Sequence, residues 1–360
     1  MRVLFLSQVL PYPLDAGPKM RSYYVLRHLV KNHHVTLLTF IRSTDTAADI
    51  AHMAGLCHAV HTVPMRRALW RDAKFLAQSI LTASPFLIVR DQQPEMVNRV
   101  QALVAAGSFD VIHADQLWMA PYALAGGDAS AGAKLVLDQH NAVHLIPRRL
   151  ANDERNPFKR RLLAREARLM TRYELDVCRR FDHVVWVTEE DRRALAALSG
   201  PETNGRPPAT IIPICADPAQ VAPLTPAPGA RRITFLGGLH WPPNARGVVW
   251  FAREVFPQVR AAVPQAVLTV IGKSPPAELA GDGIDVTGYV TDLMPYLLET
   301  AVFIVPLHAG GGMRVKILDA WSWGLPVVST PIGAEGIDTT PNEDILIADT
   351  APAFARSVIR

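Results

Sequence analysis

Short runs of β-branched and aromatic residues alternate along the chain with longer stretches whose apolar positions recur every three or four residues. The first pattern is that of buried strands and the second that of amphipathic helices; their alternation argues for parallel α/β sheets. In the first half the strand candidates are Val3–Ser7, His34–Phe40, Ala59–Val63, Asp110–Ala114, Lys134–Asp138, His183–Val187 and Thr210–Pro213. Helical spacing lies between them near Lys19–Lys31, Trp70–Ile80, Pro94–Ala106 and Pro157–Arg180. The texture then changes: PICADPAQVAPLTPAPGARR carries five prolines and no helical period, which reads as a linker. A second series follows, with strands at Ile233–Leu236, Val267–Ile271, Ile284–Thr287, Val302–Pro306, Pro326–Ser329 and Ile345–Ile347. Its helices fall near Asn244–Val263, Leu293–Thr300 and Met313–Trp323, and APAFARSVIR at 351–360 looks like the start of another. The pattern predicts two Rossmann-like domains, 1–216 and 232–360, joined by a linker at 217–231. Ligands of such sheets bind beyond the carboxyl ends of the strands, so the strand-to-helix turns carry the most information.

Composition narrows the picture only a little. Of 360 residues, 49% are hydrophobic and 19% charged, too apolar for a disordered chain. The net charge of +4 permits acidic ligands or membrane surfaces without announcing nucleic acid, and none is expected as a partner. Three scattered cysteines, Cys57, Cys178 and Cys215, form no CxxC, which argues against a disulfide scaffold and for a reducing compartment. The opening MRVLFLSQVLPYP is broken by Gln8, Pro11 and Pro13 and reads as a first strand rather than a signal peptide. No run reaches the roughly 18 apolar residues that a membrane span requires. A cytoplasmic protein is expected.

The strongest chemical signal is VFIVPLHAGGGMRVKILDAWSWGLPVVST, residues 302–330. A strand passes through Gly310, Gly311 and Gly312 into a helix, with Arg314 and Lys316 in its first turn and Asp319 three residues further on. Glycines admit close approach of backbone N–H groups, and a helix N-terminus favours anions. Such a turn suits a diphosphate and a hydroxyl-bearing ring; a packing turn followed by solvated charges is the plainer reading.

This segment resembles the nucleotide-sugar site of the family-4 glycosyltransferases, the retaining enzymes of GT-B fold. It is most similar to bacterial exopolysaccharide-type members, in which Gly-Gly-Gly-x-Arg-x-Lys-x-Leu-Glu stands in for the usual Glu-x7-Glu. The resemblance implies two Rossmann-like domains facing across a cleft. It puts Asp319 at the second Glu, which binds ribose hydroxyls, and Gly311 at the first, which contacts the donor sugar. Met313 joins Gly310–Gly312 in the donor site on the same ground. In ITFLGGLHWPPNARGVVWF, Gly237 and Gly238 follow the first strand of the second domain, with Asn244 a candidate helix N-cap. Relatives carry an Arg and a Lys around this turn; here Gly238 replaces the Arg, and Arg246 is a loose substitute for the Lys. VIGKSPPAELAGDGIDVTGYVTDLMPYL resembles the base-contacting segment, with Lys273 and Val290 as contacts.

In the first domain the resemblance implies that Gly17 opens space for donor phosphate and acceptor, with Arg21 at the acceptor. His140, in LDQHNAVHL, takes the place of a histidine that faces the reacting sugar, beside Asn141 at the acceptor. Asp115 ends another strand as an acceptor contact, with helix capping as its plainer role. His140, Arg314 and Lys316 are the expected catalytic groups. His140 and His144 have metal-ligand spacing but lack a third ligand, and neither HExxH nor Asp-x-Asp occurs, so no metal is expected. There is no GxSxG, P-loop or GxGxxG either.

Residues 148–180 hold eleven Arg or Lys against five Asp or Glu. A solvated helix face is the plainer reading, and a surface for anionic lipid the sharper one.

Together these features predict a metal-independent, retaining glycosyltransferase with no cofactor beyond a nucleoside-diphosphate-sugar co-substrate. Its acceptor is expected to be a saccharide or lipid-linked saccharide in cell-surface polysaccharide synthesis, at the inner face of the cytoplasmic membrane. A nucleotide-sugar epimerase of the same architecture and a non-catalytic sugar-nucleotide-binding protein are the alternatives. The family's chains continue for tens of residues past the equivalent of 360, so the second domain reads as shortened.

Overall fold

A computed structural model describes residues 1–66, 69–130, 132–198, 207–217 and 221–360. The chain divides into two compact units, Met1–Ile214 and Cys215–Arg360. The first is built on a parallel sheet of β1 (Arg2–Ser7), β2 (His34–Ile41), β3 (Ala59–Pro64), β4 (Val111–Asp115), β5 (Lys134–Gln139), β6 (His183–Trp186) and β7 (Ala209–Ile211). Their order is β3-β2-β1-β4-β5-β6-β7. The second sheet contains β8 (Arg232–Leu236), β9 (Val267–Ile271), β10 (Ile284–Gly288), β11 (Thr300–Val305), β12 (Val327–Ser329) and β13 (Leu346–Ile347), in the order β10-β9-β8-β11-β12-β13. Both orders reverse once, between β1 and β4 and between β8 and β11. At such a reversal the helices leave on opposite faces and a crevice opens at the carboxyl edge.

The central strands are mostly apolar because both faces are covered. In β1 and β2 the two-residue period sends Val3, Phe5, Val35 and Leu37 into one core, and Leu4, Leu6, Leu38 and Phe40 into the other. The second unit has one large cluster, in which Phe235, Phe251, Phe303 and Phe354 are fully buried.

Every expected strand is present within one or two residues. Several helices were not legible in the pattern: Ala47–Leu56, Phe86–Asp91, Ala120–Ala129, Leu145–Asp153 and Glu189–Ala196. The first is announced by a capping box, Thr46 with Asp49. The helix expected over 244–263 is three pieces, α-helical Pro242–Trp250, a wider turn at Phe251–Val255 and α-helical Phe256–Ala262. Pro257 cannot supply a helical N–H to the residue 253 carbonyl, and the i→i−5 bond from Phe256 N–H to Phe251 just before it absorbs the mismatch.

Residues 218–220 of the expected linker lie outside the described residues. The part that follows is irregular yet fastened to the second unit, through Leu224 N–H to the Trp323 carbonyl at 2.9 Å and Ala227 N–H to Leu298 at 2.7 Å.

The helix from Pro242 lies unusually close to the end of β11. A Cβ on Gly247 would stand 2.3 Å from the Pro306 carbonyl oxygen, so no side chain fits without moving the helix. That approach places the helix's first turn over the carboxyl edge of the sheet. Gly247→Ala is expected to lower stability by about 1–3 kcal/mol through overpacking, read as a fall in the urea unfolding midpoint; an unchanged midpoint would show that the helix moves freely.

Candidate functional site

At the reversal of the second sheet, glycines let strand ends and helix turns meet at backbone distance. A Cβ on Gly272 would lie 2.0 Å from the Gly237 carbonyl oxygen, and one on Gly237 would lie 2.6 Å from Lys316 Nζ. The strand ends are tied in series, Gly237 N–H to the Ile271 carbonyl at 2.9 Å and Gly272 N–H to Gly288 at 2.8 Å. The exposed His240 ring folds over Gly238, its Cε1 standing 2.6 Å from where a Cβ would be.

Lys316 enters this turn from the start of the helix Val315–Ser322. Its ammonium donates to Asn244 Oδ1 at 3.1 Å and stands 4.4 Å from the centroid of the Phe235 ring. Asn244 is not the helix N-cap. It lies inside the first turn, and its Nδ2 donates to the Gly238 carbonyl at 2.9 Å, so both ends of its amide are committed. Burial pulls the Lys316 pKa down to about 7, Arg314 pushes the same way, and Asp319 opposes them. Asp319 is pushed up to about 6 by burial, against the pull of Lys316. An amine and a carboxyl that both titrate near neutrality, one helical turn apart, mark a site rather than a surface pair.

Arg314 behaves differently from its neighbour. The side chain is buried, and its Nη1 donates to the Gly311 and Gly312 carbonyls while Nη2 reaches Ile332 at 3.4 Å. The cation expected to face a diphosphate braces its own glycine loop instead. Gly310 at φ 138° and Gly312 at φ 73° adopt the left-handed conformations that this brace requires. The helix consequently starts at Val315 rather than Met313, leaving the half-buried Met313 in the loop. Lys273 and Val290 sit one strand away, past β9 and β10. Lys273 is exposed, its Nζ 4.4 Å from the centroid of the exposed Tyr289 ring, and Val290 is half-buried.

The reversal of the first sheet carries a second group of buried charges. Asp115, at the end of β4, is fully buried. Its Oδ2 accepts from Ser7 Oγ at 2.9 Å and Ser22 Oγ at 2.6 Å, and its Oδ1 accepts from His140 Nε2 at 2.9 Å. Burial raises its pKa, but the bonded His140 and Ser22 outweigh this and hold it below the ordinary carboxylate value. An ionised Asp115 can only accept, so His140 Nε2 carries the proton. His140 Nδ1 is buried without a protein partner among the described residues. Asp115 thus orients His140, in place of the acceptor contact expected of it. Gly17 opens the helix Gly17–Leu29 nearby, and Asn141 is half-buried next to His140.

Arg21 was expected at the acceptor. It is buried, with Nε and Nη2 on the two oxygens of Asp138 at 3.2 and 3.0 Å and Nη1 on the Ile212 and Pro213 carbonyls. Its donors bind β5 to the segment after β7, which leaves it a brace. His113, Asp115 and Asp138 bring three potential ligand atoms within 4.8 Å of one another. The sequence hid this cluster because its members come from adjacent strands, β4 and β5. Asp138 is already matched by Arg21 and Asp115 by His140, so the cluster is filled by protein cations and donors.

Comparison with known proteins agrees with the architecture. A family model described as Glycosyl transferase 4-like domain matches residues 16–213, and one described as Glycosyl transferases group 1 matches residues 230–360. The chain belongs to this glycosyltransferase family. A 44.6 kDa protein in the cps region of Klebsiella pneumoniae is 22% identical, covering 99% of this chain and 90% of that one. Among solved structures, Anabaena HepE in complex with UDP-glucose is 13% identical, covers 99% of this chain and 88% of its own, and superimposes with a TM-score of 0.65. S. aureus TarM, in a complex that includes UDP, gives 9% identity, 100% and 92% coverage and a TM-score of 0.65. The UDP-forming α,α-trehalose-phosphate synthase of Burkholderia xenovorans gives 15%, 99% and 92%, and 0.62. At these identities the likeness establishes the fold, that of GT-B enzymes.

In this glycosyltransferase the half-buried Lys316 is held against its preference for water. Its folded-state pKa of about 7 lies below the ordinary 10.5, so the cost of charging it is full below about pH 7 and fades as pH climbs toward the unfolded value. Lys316→Met is therefore expected to raise the melting temperature of the unliganded protein by a few degrees at pH 7 and by progressively less toward pH 10. A gain that is absent at pH 7, or that grows with pH, would contradict the burial of the ammonium.

Proposed function

We propose that the protein transfers a sugar from a nucleoside-diphosphate donor to a hydroxyl of a saccharide or lipid-linked saccharide, with retention at the anomeric carbon and without a metal. The observation that carries this reading is Lys316, poised at the glycine turns of β8 and β11 in a chain whose two halves both match glycosyltransferase families. The glycine turns at Gly237–Gly238 and Gly310–Gly312 would let the diphosphate approach the backbone, and Lys316 would supply the positive charge that a departing nucleoside diphosphate needs. Asp319, mostly ionised above pH 6, would accept the ribose hydroxyls. Lys273 and Val290 would flank the base. The UDP-containing complexes of HepE and TarM support uracil as the base, and the cps-region relative supports a role in cell-surface polysaccharide.

Retention without a carboxylate nucleophile requires front-face displacement, in which the leaving phosphate takes the acceptor's proton. With Gly311 in the place of the first Glu there is no carboxylate for the donor sugar at that position. The family resemblance assigns the reacting sugar to His140, and Asp115 would set its tautomer. Asp115→Asn is expected to cut turnover about 10²-fold, leaving the affinity for UDP within a factor of two. An equal loss of UDP affinity would sink the orienting role.

The reaction itself is tested by offering labelled UDP-sugars with and without lipid-linked acceptors and reading the anomer by NMR. The expected product keeps the donor's configuration, requires acceptor, and forms at an unchanged rate in EDTA. Epimerised nucleotide sugar without acceptor would identify an epimerase, and binding without turnover a non-catalytic binder. Activity lost to chelation and restored by manganese would overturn metal independence.

Binding should also be linked to protons. Anion contact raises the Lys316 pKa from about 7, so UDP is expected to take up a fraction of a proton near pH 7 and to bind more weakly as pH rises beyond it. Calorimetry in buffers of different ionisation enthalpy measures this; equal uptake in Lys316→Met would assign the proton elsewhere.

A further inference from the structure

The basic stretch 148–180 is mostly one long helix, Pro157–Arg179, and the fold changes its charge balance. Glu166 and Glu174 point inward: Glu166 accepts from Phe86 and Leu87 N–H, and Glu174 from Val143 and His144 N–H. Two of the five acids are thereby removed from the surface, while Arg155, Lys159, Arg160, Arg161 and Arg168 are all exposed.

The same helix end exposes apolar side chains that the core does not use. Phe158 is 77% exposed and Leu162 44%. Four residues apart, they share one stripe, which continues one turn later to Arg165. Arg165 donates to Ser79 Oγ at 3.2 Å and to the Ser79 carbonyl at 2.8 Å, docking this stripe on the end of the helix Leu69–Leu81. The two residues that follow Ser79 are Ile80, 60% exposed, and Leu81, 85% exposed. Four large apolar side chains from two helix ends thus stand in water, and on the helical wheel Lys159 and Arg161 flank the Phe158–Leu162 stripe on either side.

We propose that this surface binds an anionic bilayer, with Phe158, Leu162, Ile80 and Leu81 entering the headgroup boundary and the surrounding cations meeting lipid phosphates. Isolated exposed apolar residues are ordinary, but a ridge of them edged by cations has the form of an interfacial anchor. A positively charged protein face would be repelled by this one, whereas a bilayer with anionic headgroups over an apolar boundary meets both the cations and the ridge. No helix among the described residues is long and apolar enough to cross a membrane, so the binding is peripheral and reversible. The proposal rests on unit 1 alone and stands whatever sugar is transferred.

The test is co-sedimentation of the full chain with vesicles of phosphatidylcholine alone or with about 30 mol% phosphatidylglycerol, at about 0.1 and 0.5 M salt. Three variants are compared with the parent: Lys159→Gln/Arg160→Gln/Arg161→Gln, Phe158→Ser/Leu162→Ser, and Ile80→Ser/Leu81→Ser. Thermal melting checks each fold, and the two apolar variants on separate helices provide independent readings. Binding is expected only with the anionic lipid, falling at least tenfold in each variant and at high salt. Equal pelleting on neutral vesicles, or loss in the charge variant with none in either apolar variant, would overturn it. A dimer in sedimentation velocity that the serine variants dissolve, without vesicle binding, would assign the ridge to a second copy of the chain.

Discussion

The second unit is organised around one ammonium group that burial disfavours. Lys316 can reach Asn244 only because Gly237 has no side chain in its path, and Asn244 is held there by its bond to the Gly238 carbonyl. Asn244 is in position because its helix approaches β11 at Gly247, and the turn is fixed because Gly272 lies against Gly237. Each glycine removes a Cβ that would push one of these elements away. The resulting enclosure supplies a cation–π neighbour in Phe235 and one hydrogen bond, which are weaker substitutes for bulk water around an ammonium. A charge kept so poorly solvated is well placed to gain from an incoming anion, because little water must be displaced from it.

Unit 1 handles buried charge in the opposite way. Arg21 and Asp138 satisfy each other through two bonds, and Asp115 collects two hydroxyls and an imidazole. Among the described residues, His140 Nδ1 and His113 Nε2 are the atoms of this cluster left buried without a hydrogen-bond partner. Both devices occur where a parallel sheet reverses its order. One sheet offers an under-solvated cation there, and the other a fixed imidazole.

What the sequence revealed follows from the range of the interactions involved. Strands such as β2 and β11 are legible because burial on both faces demands mostly apolar, β-branched runs, a property of adjacent residues. The glycine turn at 310–312 and the Lys316–Asp319 spacing are local too, and the resemblance to a family attached chemistry to them. The braces were not legible. Nothing near Arg21 in sequence mentions Asp138, 117 positions away, and the carbonyls that capture Arg314 become acceptors only once Gly310 and Gly312 adopt positive φ. Asp115 looked like a helix cap or an acceptor contact because its partner His140 lies just past the end of the neighbouring strand, β5. The helix Ala120–Ala129 was hidden by its own glycines, of which Gly126 is required because a Cβ there would stand 2.7 Å from Val100 Cγ1.

The departure at Gly311 fits this electrostatic arrangement. A carboxylate at that position would add a second acid to a loop where Asp319 already offsets Lys316. It would raise the lysine's pKa and screen its charge from an anion. It would also require a side chain beside the carbonyls that Arg314 grips, in a segment whose flanking glycines both take left-handed conformations. With glycine there, Arg314 can fold back onto the loop and hold its shape, so that loop stiffness comes from a guanidinium on carbonyls rather than from a carboxylate on backbone N–H groups. In this chain the two cations of the motif are held differently: Arg314 grips the carbonyls of its own loop, whereas Lys316 reaches across to Asn244 at the turn after β8.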